Sequence, residues 1–465
     1  MGNRKIKLHV LQVARFLVLC FGLLAVYIVY LQTVAADGLA KDPLNQRGSQ
    51  ADADIVRGTI LDSEGRALAQ SSQAGSRSYP MGESMAFVTG YSDEKIGSSG
   101  IEGYANRDLL GITEEMGRMG PLAQIFQSER GNDVRLTVDA DAQQAAYDGL
   151  AGRRGAVVVL DMDTGGVLAL ASSPSYDPNY IVSEWKTMTE REDSPLLNRA
   201  LHGLYPPGST IKPMIADMAL EQGVTDTHEA FDCTGSLDVG GGYSIQESHG
   251  EVHGSVRLEQ ALVKSCNVTF GTLAMRMGAK PLEEGFLRFG FGKALEGELQ
   301  ESAPSLPDFP ALDTGDIAQV GIGQSTLLTT PMHMALLAMA MANDGVVMKP
   351  YMIQQVVSPQ NVVIKEHHPE KWLEATTQER ANLLDGWMEE VVQKGTGTAA
   401  KVSGVKVTGK TGTAENPAGE DHAWFIGSAT VGRHRIAFSI LVENGGEGGK
   451  EAAPIARKII LSLDK

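Results

Sequence analysis

Hydrophobic positions along this chain change their spacing several times, and each change predicts a different element. From Phe16 to Leu31 (FLVLCFGLLAVYIVYL) no charged residue interrupts the apolar run, and Val10, Val13, Ala14 and the Val34-Ala35-Ala36 tail extend it. It thereby reaches about the 20 residues that cross a bilayer core as a helix. Between 37 and 152 the text turns polar and rich in Gly and Ser, with strand-like pieces such as ADIVRGTIL and a turn at Asp62-Ser63-Glu64-Gly65. Such text predicts a small, extended, β-rich domain.

From residue 153 onward the periodicity strengthens. AVVVLDMDTGGVLALASS reads as a hairpin. TIKPMIADMALEQG spaces Ile211, Met214, Ile215, Met218 and Ala219 at i, i+3, i+4, i+7 and i+8, which predicts an amphipathic helix closed by Gly223. VRLEQALVKS predicts a second helix, and the stretch carrying Phe270, Leu273, Ala274 and Met277 a third. PMHMALLAMAMAND, opened by Thr330-Pro331, is apolar nearly all round, so it should be a buried helix stopped at Gly345. The end of the chain reads as three strands (VKVTGKT, HAWFIGSATV, HRIAFSILVEN), a Gly-rich turn and the helix AAPIARKIILSL. Strands at both ends with helices between them predict an α/β (α+β) domain whose mainly antiparallel sheet is assembled from its two ends.

Charge sets the compartment. Arg4, Lys5, Lys7 and Arg15 flank or enter the apolar run on its N-terminal side, which places residues 1–9 in the cytoplasm, a transmembrane anchor at 10–36 and everything later outside. Val34-Ala35-Ala36 resembles a signal-peptide cleavage site, but the apolar region exceeds the usual span of about 7–15 residues, so a retained anchor is expected. The 465 residues are 42% hydrophobic and 21% charged, as in folded chains. That length exceeds what one core holds, so two domains are expected, 37–152 and 153–465. A net charge of -17 excludes nucleic acid and a basic membrane-binding surface. There are three cysteines, one of them (Cys20) in the apolar run. Cys233 and Cys266 read as buried free thiols, with pairing in an oxidising compartment as the alternative.

Residues 404–413, GVKVTGKTGT, fit two unrelated signatures. Gly404-x4-Gly409-Lys410-Thr411 satisfies a phosphate-binding loop, and Lys410-Thr411-Gly412 is one of three boxes of penicillin-interacting serine enzymes. A phosphate loop must run straight into a helix, whereas TGTAENPAGEDHAWFIG has no 3.6-residue period. An exported domain also meets no nucleotide, so the second signature stands. Acyl transfer needs an activated hydroxyl, a base, a proton donor for the leaving amine and donors for the oxyanion. Ser209-Thr210-Ile211-Lys212 places a hydroxyl and an amine one helical turn apart after the stiff Pro206-Pro207-Gly208 turn. SDEK (Ser92 to Lys95) and SEWK (Ser183 to Lys186) match the same box, but neither opens a helix after such a turn. Ser265-Cys266-Asn267 is the only S-x-N, and Lys410-Thr411-Gly412 is likewise unique. On an edge strand the latter would offer an ammonium and a hydroxyl to a carboxylate, with Gly412 letting a substrate backbone approach.

In that order and in one exported domain, the boxes resemble those of the serine penicillin-binding proteins, in particular the monofunctional class B D,D-transpeptidases of peptidoglycan synthesis. The resemblance extends through RGTILDSEGRALA (57–69), GIEGYANRDLLG (100–111), SSPSYDPN (172–179), NRALHGLYPPGSTIKP (198–213), HGEVHGSVRLEQALVKSCN (249–267), GIGQSTLLTTPMHMALLAMAMANDG (321–345) and HAWFIGSA (422–429). It implies a penicillin-binding transpeptidase (serine β-lactamase-like) fold with a five-stranded sheet, a pedestal and one membrane helix. It further implies Ser209 as acylated nucleophile, Lys212 as its base, Ser265 as proton relay to the departing D-alanine, and Asn267 as orienter. Lys410, Thr411, Gly412 and Thr413 would form the carboxylate-binding strand, and the backbone N–H groups of Ser209 and Thr413 the oxyanion hole. The implied partners are stem peptides and their lipid-linked precursor, β-lactams, the membrane, a polytopic glycosyltransferase and other cell-wall synthesis proteins. No cofactor is implied. About 115 residues between anchor and catalytic domain leave no room for a glycosyltransferase module.

Hydrolysis, by a D,D-carboxypeptidase or a β-lactamase, uses the same boxes and is the competing reading. A β-lactam receptor would need a cytoplasmic output domain, and nine residues before the span are too few for one. HGEVH (His249 to His253) has the i, i+4 spacing of a zinc helix, but Gly250 stands where the general-base Glu belongs, so no metal is expected. The methionines Met214, Met218, Met332, Met334, Met339 and Met341 read as core filler.

Overall fold

The computed structural model describes residues 2–33, 55–112, 128–416 and 419–464. The expected cleavage-like tripeptide at 34–36 and the start of the second region lie outside them. Helix α1 (Gly2–Thr33) contains the apolar stretch Leu11–Leu31, of mean hydropathy 2.3 and with none of it buried. A helix with apolar residues on every face and no protein around it must find another apolar medium.

After α1, strands β1 (Ile60–Leu61) and β2 (Ala67–Ala69) form a hairpin around Asp62, whose Oδ1 accepts the N–H groups of Glu64 and Arg66 while Gly65 takes φ 88°. β3 (Asp133–Leu136) pairs parallel to β1. Between them, Glu102 is fully buried with Arg57 and Arg77 each 2.6 Å from its carboxylate. This triad ties RGTILD to GIEGYANRDL, since a buried carboxylate is tolerated only when paired. Short helices at Ala86–Thr89, Gly100–Tyr104 and Asn106–Leu109 accompany the strands.

Helix α2 (Ala140–Leu150) is capped by Asp139, whose side chain accepts from the N–H groups of Asp141 and Ala142. Strands β4 (Gly155–Asp161) and β5 (Val167–Ser173) are the expected hairpin. A 3-10 turn at Gly208–Ile211 leads into α3 (Lys212–Glu221), followed by β6 (Ala230–Cys233), β7 (Ser236–Gly240), β8 (Tyr243–Gln246) and β9 (Gly254–Arg257). Helices α4 (Leu258–Lys264), α5 (Asn267–Met277) and α6 (Pro331–Ala342) follow. Strands β10 (Ile353–Val357) and β11 (Val363–Glu366) lead to α7 (Gln378–Lys394). β12 (Lys406–Ala414), β13 (His422–Val431), β14 (His434–Val442) and α8 (Ala453–Leu463) end the chain.

The central sheet has the order β12-β13-β14-β4-β5, every pair antiparallel, and joins the two ends of the domain as their patterns imply. Its strands alternate between two apolar layers. Val157 and Val159 face α2 and α8, and Val158 and Leu160 face the side holding α3 and α6. The methionines named above are fully buried. Burial differs from expectation in α3: Lys212 to Ala219 are all buried, so the helix is central rather than amphipathic. It packs against helices α5 and α7, which cover the face that the pattern would leave to water.

Two segments cross the expected break at 152/153. β10 and β11 leave the later region and complete a second sheet, β11-β10-β3-β1-β2. α2 packs against α8 and β5 of the central sheet.

Candidate active site

The turn carrying Ser209 is held from three sides. Gly208 takes φ 55° and donates its N–H to Gly323 O at 2.9 Å, and Trp424 Nε1 donates to Pro206 O at 3.0 Å. Thr210 Oγ1 donates to Pro207 O at 2.6 Å. A Cβ on Gly323 would lie 2.0 Å from Gly208 O, so only glycine lets the two backbones meet there. Ser209 itself is half-buried and its hydroxyl makes no hydrogen bond among the described residues. The rigid turn thus presents a hydroxyl that is not committed elsewhere.

One turn on, the Lys212 amine is fully buried. It donates to Ser265 O at 2.6 Å and Asn267 Oδ1 at 2.8 Å, with Ser265 Oγ at 3.3 Å. Among the described residues no hydrogen bond joins Ser209 to Lys212, although their spacing puts the two one helical turn apart. Burial lowers the Lys212 pKa to about 8, against the opposing influence of Glu247 and Cys266.

Ser265 is the C-cap of α4 in the left-handed region (φ 60°), and Asn267 opens α5. Its strained backbone turns the Ser265 hydroxyl to a second amine: Lys410 Nζ, also fully buried, donates to Ser265 Oγ at 2.8 Å. Burial, and then the Lys212 charge, push Lys410 well below the ordinary lysine range. Two buried amines therefore flank one half-buried hydroxyl, an arrangement suited to moving a proton along Lys212–Ser265–Lys410. Asn267 is fixed by Nδ2 donating to Gln246 O at 2.9 Å.

Lys410 and Gly412 sit on edge strand β12, which runs beside the Ser209 turn. A Cβ on Gly412 would lie 2.8 Å from Thr210 Cγ2 and 3.1 Å from Trp424 Cβ. The glycine thus admits the nucleophile turn itself. The Thr411 hydroxyl points to the other side, 2.5 Å from that of Thr396, and Thr411 meets the Lys410 amine only through its carbonyl oxygen, which accepts from Lys410 Nζ at 3.0 Å. Thr413 is exposed at the end of the strand. Beside the turn, a cleft of about 410 Å³ is lined by Pro206, Gln319, Ser325, Asn416 and His422 among others, within the usual size of a ligand site.

Several residues of this site carry no box. Glu247, one of many scattered acids in the sequence, accepts from the N–H groups of Asn267 (2.9 Å) and Val268 (2.8 Å) at the start of α5. Burial would raise its pKa, but these N–H groups and the charge of Lys212 hold it below the ordinary range. Trp424, Gly323 and Thr396 buttress the boxes from afar. Only the HAWF and GIGQ stretches gave any sequence signal for the first two. The phosphate-loop alternative meets a strand: β12 continues through Ala414, and no helix follows Thr411. Of the decoys, Ser183 and Lys186 lie on an outer helix (Ile181–Glu190), and Ser92 opens a two-residue strand. Cys20, Cys233 and Cys266 are all free.

Residues 155–461 match the family described as the penicillin binding protein transpeptidase domain. The chain belongs to that family. Residues 57–133 match the penicillin binding protein A dimerisation domain. Among relatives, the peptidoglycan D,D-transpeptidase PbpA of Mycolicibacterium smegmatis is 33% identical over 92% of this chain and 93% of its own length. The peptidoglycan D,D-transpeptidase MrdA of Acinetobacter baumannii is 30% identical over 82% of this chain and 65% of its own. In three dimensions, penicillin-binding protein A from M. tuberculosis, as its imipenem acyl-enzyme complex, superposes with TM-score 0.80 at 30% identity, covering 89% of this chain and 100% of that one. The D,D-transpeptidase domain of a peptidoglycan glycosyltransferase from Eggerthella lenta gives TM-score 0.80 at 33% identity, covering 88% and 98%. The family's fold, a five-stranded antiparallel sheet flanked by helices with an N-terminal dimerisation domain, is the fold of this chain.

Proposed function

We infer that this protein is a peptidoglycan D,D-transpeptidase that cross-links stem peptides through a serine acyl-enzyme, releases D-alanine and is acylated by β-lactams. The observation that carries the reading is the buried Lys212–Ser265–Lys410 relay beside an uncommitted Ser209 hydroxyl. In the proposed sequence, Lys212 takes the Ser209 proton as the oxygen attacks the penultimate D-alanine carbonyl. The backbone N–H groups of Ser209 and Thr413 hold the resulting oxyanion. The C–N bond then breaks as Ser265 passes a proton to the departing amine. An acceptor amine next attacks the ester, its proton returning by the same route, and Ser209 leaves as the hydroxyl. Asn267 orients Lys212 and the substrate amide. Lys410, Thr411, Gly412 and Thr413 form the strand that receives the terminal carboxylate, with the Lys410 amine as its cation and Thr411 holding the strand from its other face through Thr396.

The surrounding organisation belongs to the same reading. Residues 1–9 lie in the cytoplasm, 10–36 anchor the chain, 37–152 form the pedestal and 153–465 the catalytic domain, with 353–366 reaching back to complete the pedestal sheet. Lipid-linked, pentapeptide-bearing substrate is presented at the outer membrane face, where a polytopic glycosyltransferase and other cell-wall synthesis proteins are the expected partners. The mature protein should retain residues 1–36 and fractionate with membranes. A mature N-terminus at Asp37 would refute the anchor.

Transfer and hydrolysis separate at the acyl-enzyme. Hydrolysis needs a base that activates water over the ester, and no E-x-x-x-N segment of the kind β-lactamases use lies between the second and third boxes. The penicilloyl adduct is therefore expected to be long-lived in intact-mass measurements. Pentapeptide substrate with an acceptor amine should give a cross-linked dimer by chromatography. Adduct decay within seconds, or D-alanine release without dimer, would make the protein a hydrolase.

A further inference from the structure

The cleft beside the Ser209 turn is built from segments outside the three boxes. Glu415 and Asn416, just past the end of β12, supply one wall, and the helix Thr314–Gly321 with the turn after it brings Asp316 and Gln324 to another. His422, the first residue of β13, lines it as well. The charge of this space is one-sided. Asp316 and Glu415 contribute two carboxylates with no ion pair or hydrogen bond to either side chain among the described residues, and no lysine or arginine lines the cleft. Exposed carboxylates are common, so these two alone specify nothing.

His422 specifies more. It is 8% exposed, and its Nδ1 accepts from Asn444 N at 3.2 Å. Burial, against the opposing charges of Glu443 and Asp421, lowers its pKa, so the ring is neutral and carries its one proton on Nε2. That N–H has no partner among the described residues and is not sealed from solvent, which leaves it to the cleft. Asn444 Oδ1 also accepts from Asn416 Nδ2 at 2.6 Å, so one residue fixes two parts of the lining. The cleft therefore offers a positioned, uncommitted N–H donor and two carboxylates. Its complement is a peptide carbonyl close to a cation.

The direction of a bound peptide follows from β12. In the transpeptidase reading, on which this step rests, the terminal carboxylate lies at Lys410 and the scissile carbonyl at the Thr413 N–H. A chain laid along the open edge of β12 in that order runs antiparallel to it. At about 3.4 Å per residue, the residue upstream of the scissile bond must then pass Ala414 and Glu415. There the wall of the cleft begins.

We propose that the cleft is the subsite for the residue preceding D-alanyl-D-alanine in the donor stem peptide, and that Asp316 and Glu415 select a free amine on its side chain while His422 donates to a backbone carbonyl.

An acylated amine would leave both acids without a counter-ion, and a side-chain carboxylate would be repelled by them. A residue held there also steadies the scissile carbonyl over Ser209, so recognition should be read in the rate of acylation.

The test uses penicillins that carry the upstream residue as their side chain. Nα-acetyl-lysine, Nα-acetyl-norleucine or Nα,Nε-diacetyl-lysine is joined to 6-aminopenicillanic acid, so the probes differ only near the end of one side chain. With each, the lactam C–N bond opens, the carbonyl is esterified to Ser209 Oγ, and the ring nitrogen takes up the proton. Intact mass of the full chain in detergent follows the rate. The lysyl probe should acylate the wild type about three- to tenfold faster than the other two, the scale of one or two exposed ion pairs. That advantage should shrink in about 1 M salt. Neither comparison needs a variant to fold. In the combined Asp316→Asn, Glu415→Gln variant the advantage should vanish, with the norleucyl probe as the variant's own reference. An acceptor amine acts only after acylation, so a preference at this step belongs to the donor. Equal rates with the lysyl and norleucyl probes, the same advantage after Nε-acetylation, an advantage that survives the double substitution, or failure of all three probes where benzylpenicillin labels, would each overturn the proposal. No labelling of Ser209 by benzylpenicillin would refute the transpeptidase reading instead.

Discussion

Ser209→Ala should abolish covalent labelling by a fluorescent penicillin and leave the fold intact. The hydroxyl makes no hydrogen bond among the described residues, so its loss costs less than the roughly 1 kcal/mol of a lost helix cap. The turn remains pinned by Trp424, Gly323 and Thr210, none of which touches the Ser209 side chain through a hydrogen bond. Peptide mass spectrometry of the labelled wild type should place the adduct on the peptide containing Ser209. Labelling of the alanine variant at the wild-type rate, with unchanged thermal unfolding, would move the nucleophile elsewhere.

Lys212→Ala should slow acylation by about 10²–10⁴-fold, the usual contribution of a general base. This variant also removes the donor to Ser265 O and Asn267 Oδ1, both on half-buried residues, so each acceptor left bare costs at most the roughly 1–3 kcal/mol of a fully buried one. Lys212→Met lacks the donor as well but retains most of the volume, so it should lose acylation to the same extent while avoiding the added cost of a cavity. The pH profile gives an independent sign. Burial lowers the Lys212 pKa to about 8, and a base acts in its deprotonated form. Acylation of the wild type should therefore rise with pH and level off above about 8. In Lys212→Met this limb should disappear. Near-normal acylation in both variants would leave Lys212 a purely structural residue.

Both predictions concern residues that short-range pattern made visible. Ser209 and Lys212 stand one turn apart after a Pro-Gly turn, and that spacing alone puts them on one side of a helix. The apolar run of α1, the all-round apolar α6 and the alternating strands at both ends of the domain were legible for the same reason. A period of 2 or 3.6 records how a segment meets its surroundings, and it needs no knowledge of what those surroundings are. The three boxes, unusual in combination, carried the chemistry and the family.

Which surfaces meet was decided only in three dimensions. Lys410 reaches the Ser265 hydroxyl across a sequence separation of 145 residues, and nothing local to either residue encodes the contact. Strand alternation puts Thr411 on the face opposite Lys410 and Gly412, but that it meets Thr396 depends on how α7 and the segment after it pack on β12. The pedestal sheet takes two of its strands from 353–366, because an edge left open by β3 is satisfied by whichever chain arrives there. His253 was read with His249 because the two are close in sequence, whereas the fold joins it to Cys233, Glu247 and Cys266. By itself, then, the sequence determined the elements, the apolar N-terminal helix and the three boxes that mark the family, all of which depend on local spacing and residue type. The relay, the buried amines and the four-donor cluster arose only in the tertiary structure, where long-range packing removes water and brings distant polar groups within bonding distance.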